Sequence, residues 1–457
     1  MELKGRETLI VGFGKTGEEL CRFLLNQGAH VTVSEQREAE QLSGKIGFWK
    51  DRGVVFETGG HHKETFLSAH MIFPSPGVSM IAELEEAMAK GVEVLSEIEL
   101  AFRFLKGRVV GITGTNGKST TTTLSNNILH DGGIKSHLAG NIGTPLISYV
   151  EESKDDHIYV TEVSSFQLEY VQQFRAYISV LLNVSPDHLD WHGSFANYFE
   201  AKKHLLDLQD EEDITILNRD DPLVWNLRGE IKPKVFGFSR SHRVTPGCFI
   251  EKDWIVCTNG KEERIIHKSD IPLRGVHNQE NVMSSMLIGF LFGVSSQGMR
   301  ETIKSFEGLE HRLEEVASLQ NVVFYNDSKA TNVGATLKSL QSFDRKIILI
   351  LGGRDKGGNF ELLKKPVEER VKKVLLIGEA KEKIARALKN GNKVPLESVS
   401  SLREAVEQGF AAASPGEIVL LAPACTSFDM FQNFEERGQE FKREIFALMD
   451  RVKTQGY

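Results

Sequence analysis

The sequence predicts an α/β protein of three consecutive domains, and three observations predict it. Its 457 residues exceed what one hydrophobic core usually organises, since single domains run roughly 50 to 250 residues. Short β-branched runs alternate with amphipathic stretches, the pattern of parallel strands joined by helices. That pattern restarts twice, at Arg108 and again after Phe306-Glu307-Gly308. The expected domains are 1–96, 97–307 and 308–457.

Composition narrows the class. Hydrophobic residues at 40% and charged residues at 26% are ordinary globular values and exclude disordered and collagen-like chains. The net charge of -8 opposes binding to nucleic acid or anionic lipid, which begins with phosphate neutralisation by Lys and Arg. The opening MELKGRETLIVGFG enters a strand without an export signal, and no apolar run reaches membrane-spanning length. A soluble cytoplasmic protein with no membrane partner is expected. Cys21, Cys248, Cys257 and Cys425 show no CxxC spacing, so reduced thiols are expected rather than a zinc site or disulfide framework.

In the first domain Thr8 to Val11, His30 to Val33 and His70 to Phe73 read as strands, with a helix from Thr16 to Gln27. The first strand runs into GFGKTG, Gly12 to Gly17, with Glu35 following at about the twenty-residue distance of a dinucleotide fingerprint. The domain is therefore Rossmann-like, and an NAD-dependent oxidoreductase is one reading of this loop.

The second cycle opens with a strand, Arg108 to Ile112, that leads into TGTNGKST, Thr113 to Thr120, and then a helix. This arrangement puts consecutive backbone N–H groups and a helix N-terminus around a phosphate. Gly114, Thr115, Asn116, Gly117 and Thr120 form the cradle, Lys118 reaches the β/γ oxygens, and the Ser119 hydroxyl is placed to ligate Mg²⁺. The string is a variant, because Ile112 occupies the first glycine position of GxxxxGKS and Gly111 and Gly114 bracket it. A P-loop ATPase-like central domain follows, although the loop does not choose between adenine and guanine.

Strands His157 to Thr161 and Ile178 to Asn183 feed EVSSFQLE and NVSPDHLDWHG, so both segments project from the carboxyl edge where phosphate-bound ligands lie. Glu162 offers Mg²⁺ a hard oxygen, and Asp187 and His188 add a carboxylate and an imidazole. An ordinary hydrogen-bonded loop histidine is equally open for His188. Tyr198 and Lys202 are four apart and share a helix face, where a solvated lysine is the default. Val235 to Ile266 reads as short antiparallel strands turning at Pro246-Gly247 and Asn259-Gly260, before a buried helix from His277.

The third cycle, also Rossmann-like, has strands at Val322 to Tyr325, Lys346 to Leu351, Lys373 to Ile377 and Glu417 to Leu421, with helices such as Leu402 to Ala412. Three polar loops follow strands: NDSKATN, GGRDKGGNF and APACTSFDMFQNFEERG. Lys329, Thr331, Lys356 and Ser427 would offer two cations and two hydroxyls to a small dicarboxylate, with Phe434 as a wall.

TGTNGKST, EVSSFQLE, NVSPDHLDWHG, YFEAK, HNQEN and EHRLE together resemble the Mur ligase family, ATP-dependent amino acid ligases of peptidoglycan precursor synthesis. The resemblance spans the entire chain. It implies UDP-sugar binding in the first domain, ATPase chemistry in the second and amino acid binding in the third. On this resemblance Lys118, His188 and Lys202 are catalytic, Ser119 and Glu162 meet one Mg²⁺, His188 meets a second, and Lys202 is carbamylated by CO₂ close to that metal. Asn278 and Asn281 stand on the adenine side, while Arg312 and Asp327 meet ATP from the third domain, whose closure would assemble the centre and exclude water.

The UDP-sugar would be held by Gly14, Lys15, Thr16, Glu35, Gln36, Ser75, Pro76, Gly77, Asn141, Ser164 and Gln167, with Glu35 and Gln36 standing where Asp is more usual. The third-domain loops resemble those of glutamate-adding members, and the DNPR sequence of diamino acid-adding relatives is absent. The implied partners are UDP-N-acetylmuramoyl-L-alanine and D-glutamate, acting on a monomer. Two other classes remain beside this one: the oxidoreductase, and a non-catalytic nucleotide switch that would need the phosphate loop without the amino acid pocket.

Overall fold

The computed structural model describes residues 1–78, 80–389 and 393–454. Three sheets organise them. The first is entirely parallel, in the order Val55–Thr58, His30–Glu35, Glu7–Val11, Met71–Pro74, Glu93–Val94. Its helix Lys15–Asn26 starts one residue earlier than the sequence suggested, with Gly14 at the N-cap.

The second sheet has nine strands. Its centre runs Ile214–Asn218, Ile178–Leu181, Arg108–Thr113, Ile158–Glu162, Ser136–Gly140, all parallel. The expected antiparallel group at Val235 to Ile266 is only partly so. Lys234–Ser239 pairs in parallel with both Ile214–Asn218 and Gly247–Glu251, so Pro246-Gly247 enters a strand instead of turning a hairpin. Trp254–Thr258 and Glu262–His267 do complete an antiparallel meander around Asn259-Gly260.

That meander corrects the cysteine expectation. Cys248 and Cys257 stand directly opposite each other in register and form a disulfide. A cross-strand pair puts Cβ atoms roughly 4.5–5.5 Å apart whatever the sequence spacing, so the lack of CxxC was no argument against pairing. Cys21 and Cys425 are buried free thiols.

The third sheet runs Glu314–Leu319, Val322–Asn326, Ile418–Leu421, Ile347–Gly352, Val371–Ile377, Leu396–Ser398, parallel except for its first pair. Its central strands, such as IILILG, are buried throughout, as expected when helices cover both faces of a parallel sheet.

Packing divides the chain into two compact units. One comprises Met1–Val184, Ala196–His267 and Asn281–Ile303 and contains the first two sheets, which share a core including Ile10, Phe73, Ile98, Tyr159 and Phe174. The other comprises Ser185–Phe195, Lys268–Glu280 and Lys304–Tyr457, with cores on both faces of the third sheet. No helix among the described residues is long and apolar enough to cross a membrane.

Candidate active site

The phosphate loop is built by main-chain geometry and by one distant amide. Gly114 takes φ 148° and Gly117 φ 93°, in the range that side-chain-bearing residues avoid. A Cβ at Gly117 would also lie 2.3 Å from Asn281 Oδ1. Thr115 N donates to Asn183 O at 2.9 Å, Asn116 N to Asn183 Oδ1 at 2.9 Å, and Asn183 Nδ2 returns a bond to Asn116 O at 2.9 Å. Lys118 Nζ donates to Gly114 O at 2.8 Å and Thr115 O at 3.0 Å, so its ammonium lies over the loop whose helix, Lys118–Asp131, it begins. Ser119 is buried at 1% exposure. Asn183 was placed only as a strand end by its sequence, yet it braces the loop.

Parallel register puts Glu162 beside Ile112 and Gly140, so this buried carboxylate stands on the strand next to the phosphate loop. Its Oε1 accepts from Asn141 Nδ2 at 2.8 Å. The Ser119 hydroxyl, in the first turn of the helix after the loop, and the Glu162 carboxylate, at the end of the adjacent strand, are hard oxygens of the type that Mg²⁺ takes.

Lys202 lies within the helix Phe195–Asp207 at 1% exposure, with Nζ 4.6 Å from the centre of the Tyr198 ring. The solvated default does not hold for it. Its neighbour Lys203 makes the ordinary ion pair, reaching Asp207 at 2.7 Å. Tyr198 OH donates to Thr115 Oγ1 at 3.2 Å, which ties this helix to the phosphate loop.

The first glycine-rich loop opens on a cavity of about 270 Å³ lined by Gly14, Lys15, Thr16, Ser75, Pro76, Gly140, Asn141, Gly143 and Pro145. Six of the residues assigned to the UDP-sugar meet there, and Gly77 follows Pro76 at φ 97°. Lys15 Nζ donates to Gly143 O at 2.5 Å. Glu35, Gln36, Ser164 and Gln167 are outside this lining.

Glu35 is turned inward: its Oε2 accepts from Phe13 N at 2.8 Å and from Arg37 Nη2 at 2.8 Å. Burial opposes its charge, but Arg37 and the two backbone N–H groups hold the carboxyl below its usual range. A carboxylate spent on its own loop is not presented to a ribose, which removes the support for the oxidoreductase reading. Gln36 is exposed. Ser164 and Gln167 cap the helix Ser165–Leu168 reciprocally, Gln167 N donating to Ser164 Oγ at 3.3 Å and Ser164 N to Gln167 Oε1 at 3.0 Å, so they shape the backbone after Glu162.

Two residues beyond Pro145 of that lining, Ile147 N donates at 2.6 Å to Glu97, on the helix Glu97–Phe104. Burial pushes its carboxyl up to about 7, against the backbone N–H groups of Ile147 and Leu146.

In the unit that contains the third sheet, the three polar loops follow the adjacent strands Val322–Asn326, Ile418–Leu421 and Ile347–Gly352. Arg354 and Thr426 exchange backbone hydrogen bonds at 3.0 Å, joining two of the loops. Arg437 joins the third: its guanidinium donates to Ser328 Oγ at 2.9 Å, Ser328 O at 2.8 Å, Cys425 O at 3.2 Å and Thr426 O at 3.1 Å. Burial lowers its pKa to about 10. Arg437 stood in the quoted FEERG segment, but its partners are too distant in sequence to be inferred.

Lys329 Nζ lies 4.8 Å from the Phe434 ring centre, and Ser427 is buried. Lys356 Nζ is 2.7 Å from Asp187 Oδ1 and 3.4 Å from His188 Nε2. Asn332, a second residue not singled out by sequence, donates to Asp187 Oδ2 at 2.7 Å. Burial opposes the charge of Asp187, yet Lys356 and His188 hold its carboxyl below the usual range. So paired, it is a poor proton acceptor. Asp327 is turned to Leu313 N at 3.3 Å and to Ser339 Oγ, and its burial raises its pKa. It braces the turn bearing Arg312, which lines a cavity of about 520 Å³ with Asn278 and Tyr325.

Three family descriptions match the chain: Mur ligase MurD-like, N-terminal domain, over residues 6–96; Mur ligase middle domain over 112–289; and Mur ligase, glutamate ligase domain, over 311–425. The UDP-N-acetylmuramoylalanine--D-glutamate ligase of Acidobacterium capsulatum is 45% identical across 98% of this chain and 97% of its own length. That of Koribacter versatilis is 43% identical across 99% and 100%. Among solved structures, UDP-N-acetylmuramate-alanine ligase of Thermotoga maritima superposes with a TM-score of 0.62 at 17% identity, covering 97% of this chain and 100% of that one. The MurF ligase of the same organism, in complex with ADP, gives 0.60 at 15%, covering 98% and 96%. These structures share the fold of the three sheets, and the three matched segments with the near full-length relatives give one conclusion: the chain belongs to the Mur ligase family.

Proposed function

We propose that this chain is the cytoplasmic, ATP-dependent ligase that adds D-glutamate to UDP-N-acetylmuramoyl-L-alanine in peptidoglycan precursor synthesis, working as a monomer. The observation that carries this reading is 45% identity with a D-glutamate ligase over 98% of the chain. The substrate carboxylate attacks the γ-phosphorus of ATP and releases ADP, leaving an acyl phosphate. The D-glutamate amine then attacks the acyl carbon, the amide forms as phosphate leaves, and the amine gives up a proton.

Each substrate has its residues. Gly114 to Thr120 bind the phosphates, with Lys118 countering charge that develops on the transferred phosphoryl group. Asn278, Asn281 and Arg312 serve the nucleotide, and Asp327 serves it through the Arg312 turn. Gly14, Lys15, Thr16, Ser75, Pro76, Gly77 and Asn141 take the UDP-sugar. Lys329, Thr331, Lys356, Ser427 and Phe434 take D-glutamate, whose carboxylate replaces Asp187 at Lys356. Ser119 and Glu162 would hold one Mg²⁺ and His188 a second, and these ions would offset repulsion between the anionic reactants. Lys202 is carbamylated. The burial of Lys202 supports this assignment over Lys203, whose ammonium is paired with Asp207.

The test is phosphate release over a matrix of UDP-muramoyl precursors and amino acids. Release with UDP-N-acetylmuramoyl-L-alanine and D-glutamate together, and not with L-glutamate, is expected. Turnover with a UDP-muramoyl dipeptide and lysine or diaminopimelate would reassign the step, and turnover of ATP without either co-substrate would point to the switch.

A further inference from the structure

The turn that bears Arg312 has a forced backbone. His311 and Leu313, on either side of it, take left-handed conformations with φ 63° and 45°, and such residues persist only where their surroundings over-determine them. Asn326 Nδ2 donates to His311 Nδ1 at 2.9 Å and to Glu314 Oε2 at 3.2 Å, while His311 N donates to Glu314 Oε2 at 2.9 Å. The C-terminal helix Phe434–Thr454 closes the other side. From it Lys442 Nζ donates to Glu310 Oε1 at 2.8 Å and to Glu314 Oε1 at 2.5 Å. The helix comes this close because residue 438 is glycine: a Cβ there would lie 2.2 Å from His311 Nδ1.

Glu310, His311 and Glu314 bring two carboxylates and an imidazole within 4.8 Å of one another, a grouping that resembles a divalent-metal site. The Lys442 ammonium already bridges the two carboxylates, so the cluster contains its own cation and works as an ion-pair lock. Burial opposes the charge on Lys442, but Glu310 and Glu314 hold its pKa above the ordinary value. Lys442 and Arg312 line the same cavity of about 520 Å³.

We propose that Lys442 and Gly438 of the C-terminal helix are positioning residues for Arg312, holding the Glu310–Glu314 turn in its left-handed form so that the guanidinium faces the nucleotide. The inference rests on the reading of Arg312 as an ATP-binding residue. A lysine that served stability alone would affect every substrate equally, whereas one acting through Arg312 affects ATP selectively.

The experiment is steady-state phosphate release by the full-length enzyme, with each substrate varied in turn, for Lys442→Met, Lys442→Arg, Arg312→Lys and the double variant Arg312→Lys/Lys442→Met. Lys442→Met is expected to raise KM for ATP about tenfold and leave KM for D-glutamate within about twofold, with Lys442→Arg restoring most of the loss. In the double variant the two effects should not multiply, because they share one path. An unchanged KM for ATP in Lys442→Met, beside a raised one in Arg312→Lys, overturns the positioning role and leaves the Arg312 reading intact. No ATP effect from Arg312→Lys overturns both. Multiplying effects, or equal losses for all substrates, also overturn the proposal. Gly438→Ala should reproduce the Lys442→Met profile where it folds, and the lysine variants decide the question where it does not.

Discussion

The loops Gly12–Gly17 and Gly114–Gly117 each turn a parallel strand into a helix, but they are braced with opposite chemistry. In the first, Phe13 N is held by the carboxylate of Glu35, which carries Arg37 as its own counter-cation. In the second, Asn116 N is held by the neutral amide of Asn183. The lysines differ too: Lys15 reaches outward to Gly143 O, while Lys118 folds back on its own loop. A carboxylate and an amide give the same hydrogen bond, but only the carboxylate repels an anion bound above it. The amide-braced loop is thus the better place for a triphosphate, and the acid-braced loop suits the less charged diphosphate of a nucleotide sugar.

Removing a charge from the second loop gives the largest expected effect. Lys118→Ala should lower kcat/KM by roughly a hundredfold or more, the loss expected for one preorganised electrostatic donor, as phosphate release would measure; ADP production at the parental rate would contradict it. Next comes glycine stringency. A Cβ at Gly17 would meet Gly12 O at 2.6 Å, whereas one at Gly117 meets a side-chain end, Asn281 Oδ1. Both variants should lose stability in urea unfolding, Gly17→Ala by about 2 kcal/mol and Gly117→Ala through its φ of 93° as well, but only Gly117→Ala should weaken ATP binding. Equal ATP affinity in the two variants would remove the distinction.

Exchanging the braces tests the comparison most directly. Asn183→Asp should raise KM for ATP about tenfold, by placing a negative charge beneath the phosphates, while Glu35→Gln should change KM for the UDP-sugar less than about threefold, since the Phe13 bond survives. The reverse ranking in substrate titrations would sink the idea that brace charge matters.

The smallest effect concerns Glu97, whose partners are the backbone N–H groups of Ile147 and Leu146 instead of a cation. Its pKa of about 7 lies above the ordinary 4.5, so the folded state holds the extra proton. The stability this contributes is complete below about pH 4.5 and is lost as pH rises through about 7. Glu97→Gln, a mimic of the protonated acid, should match the parent near pH 4 and become progressively more stable than it as pH rises to 8. Urea denaturation that shows the same difference at both pH values would disprove the linkage.

The sequence made the three α/β cycles legible because each strand is a short β-branched run and each phosphate-type loop is contiguous. It also marked Lys118 and Glu162 as residue types at given positions after strands, whereas Lys202 read as a solvated lysine by spacing and was singled out only by the resemblance. What it concealed were the groups that hold those residues in place. Asn183 is 67 residues from Asn116, Arg437 is 109 from Ser328, and Lys442 is 128 from Glu314, and no local pattern encodes partners so far apart. The inward turn of Glu35 was hidden for a related reason, since an acid at that spacing looks the same whether it faces a ribose or its own loop. The parallel pairing of Gly247–Glu251 and the Cys248–Cys257 bond depended on strand order, which short apolar runs do not specify.

Arg437 has a consequence for how substrate preference could change. Three of its four hydrogen bonds end on main-chain oxygens, of Ser328, Cys425 and Thr426, and every amino acid supplies such an oxygen. The scaffold beneath the three loops is therefore indifferent to most of the side chains mounted on it. On the proposed D-glutamate assignment, a redesigned enzyme for another amino acid should begin with Lys329 and Thr331 and leave the arginine untouched, since Lys356 also neutralises the buried Asp187.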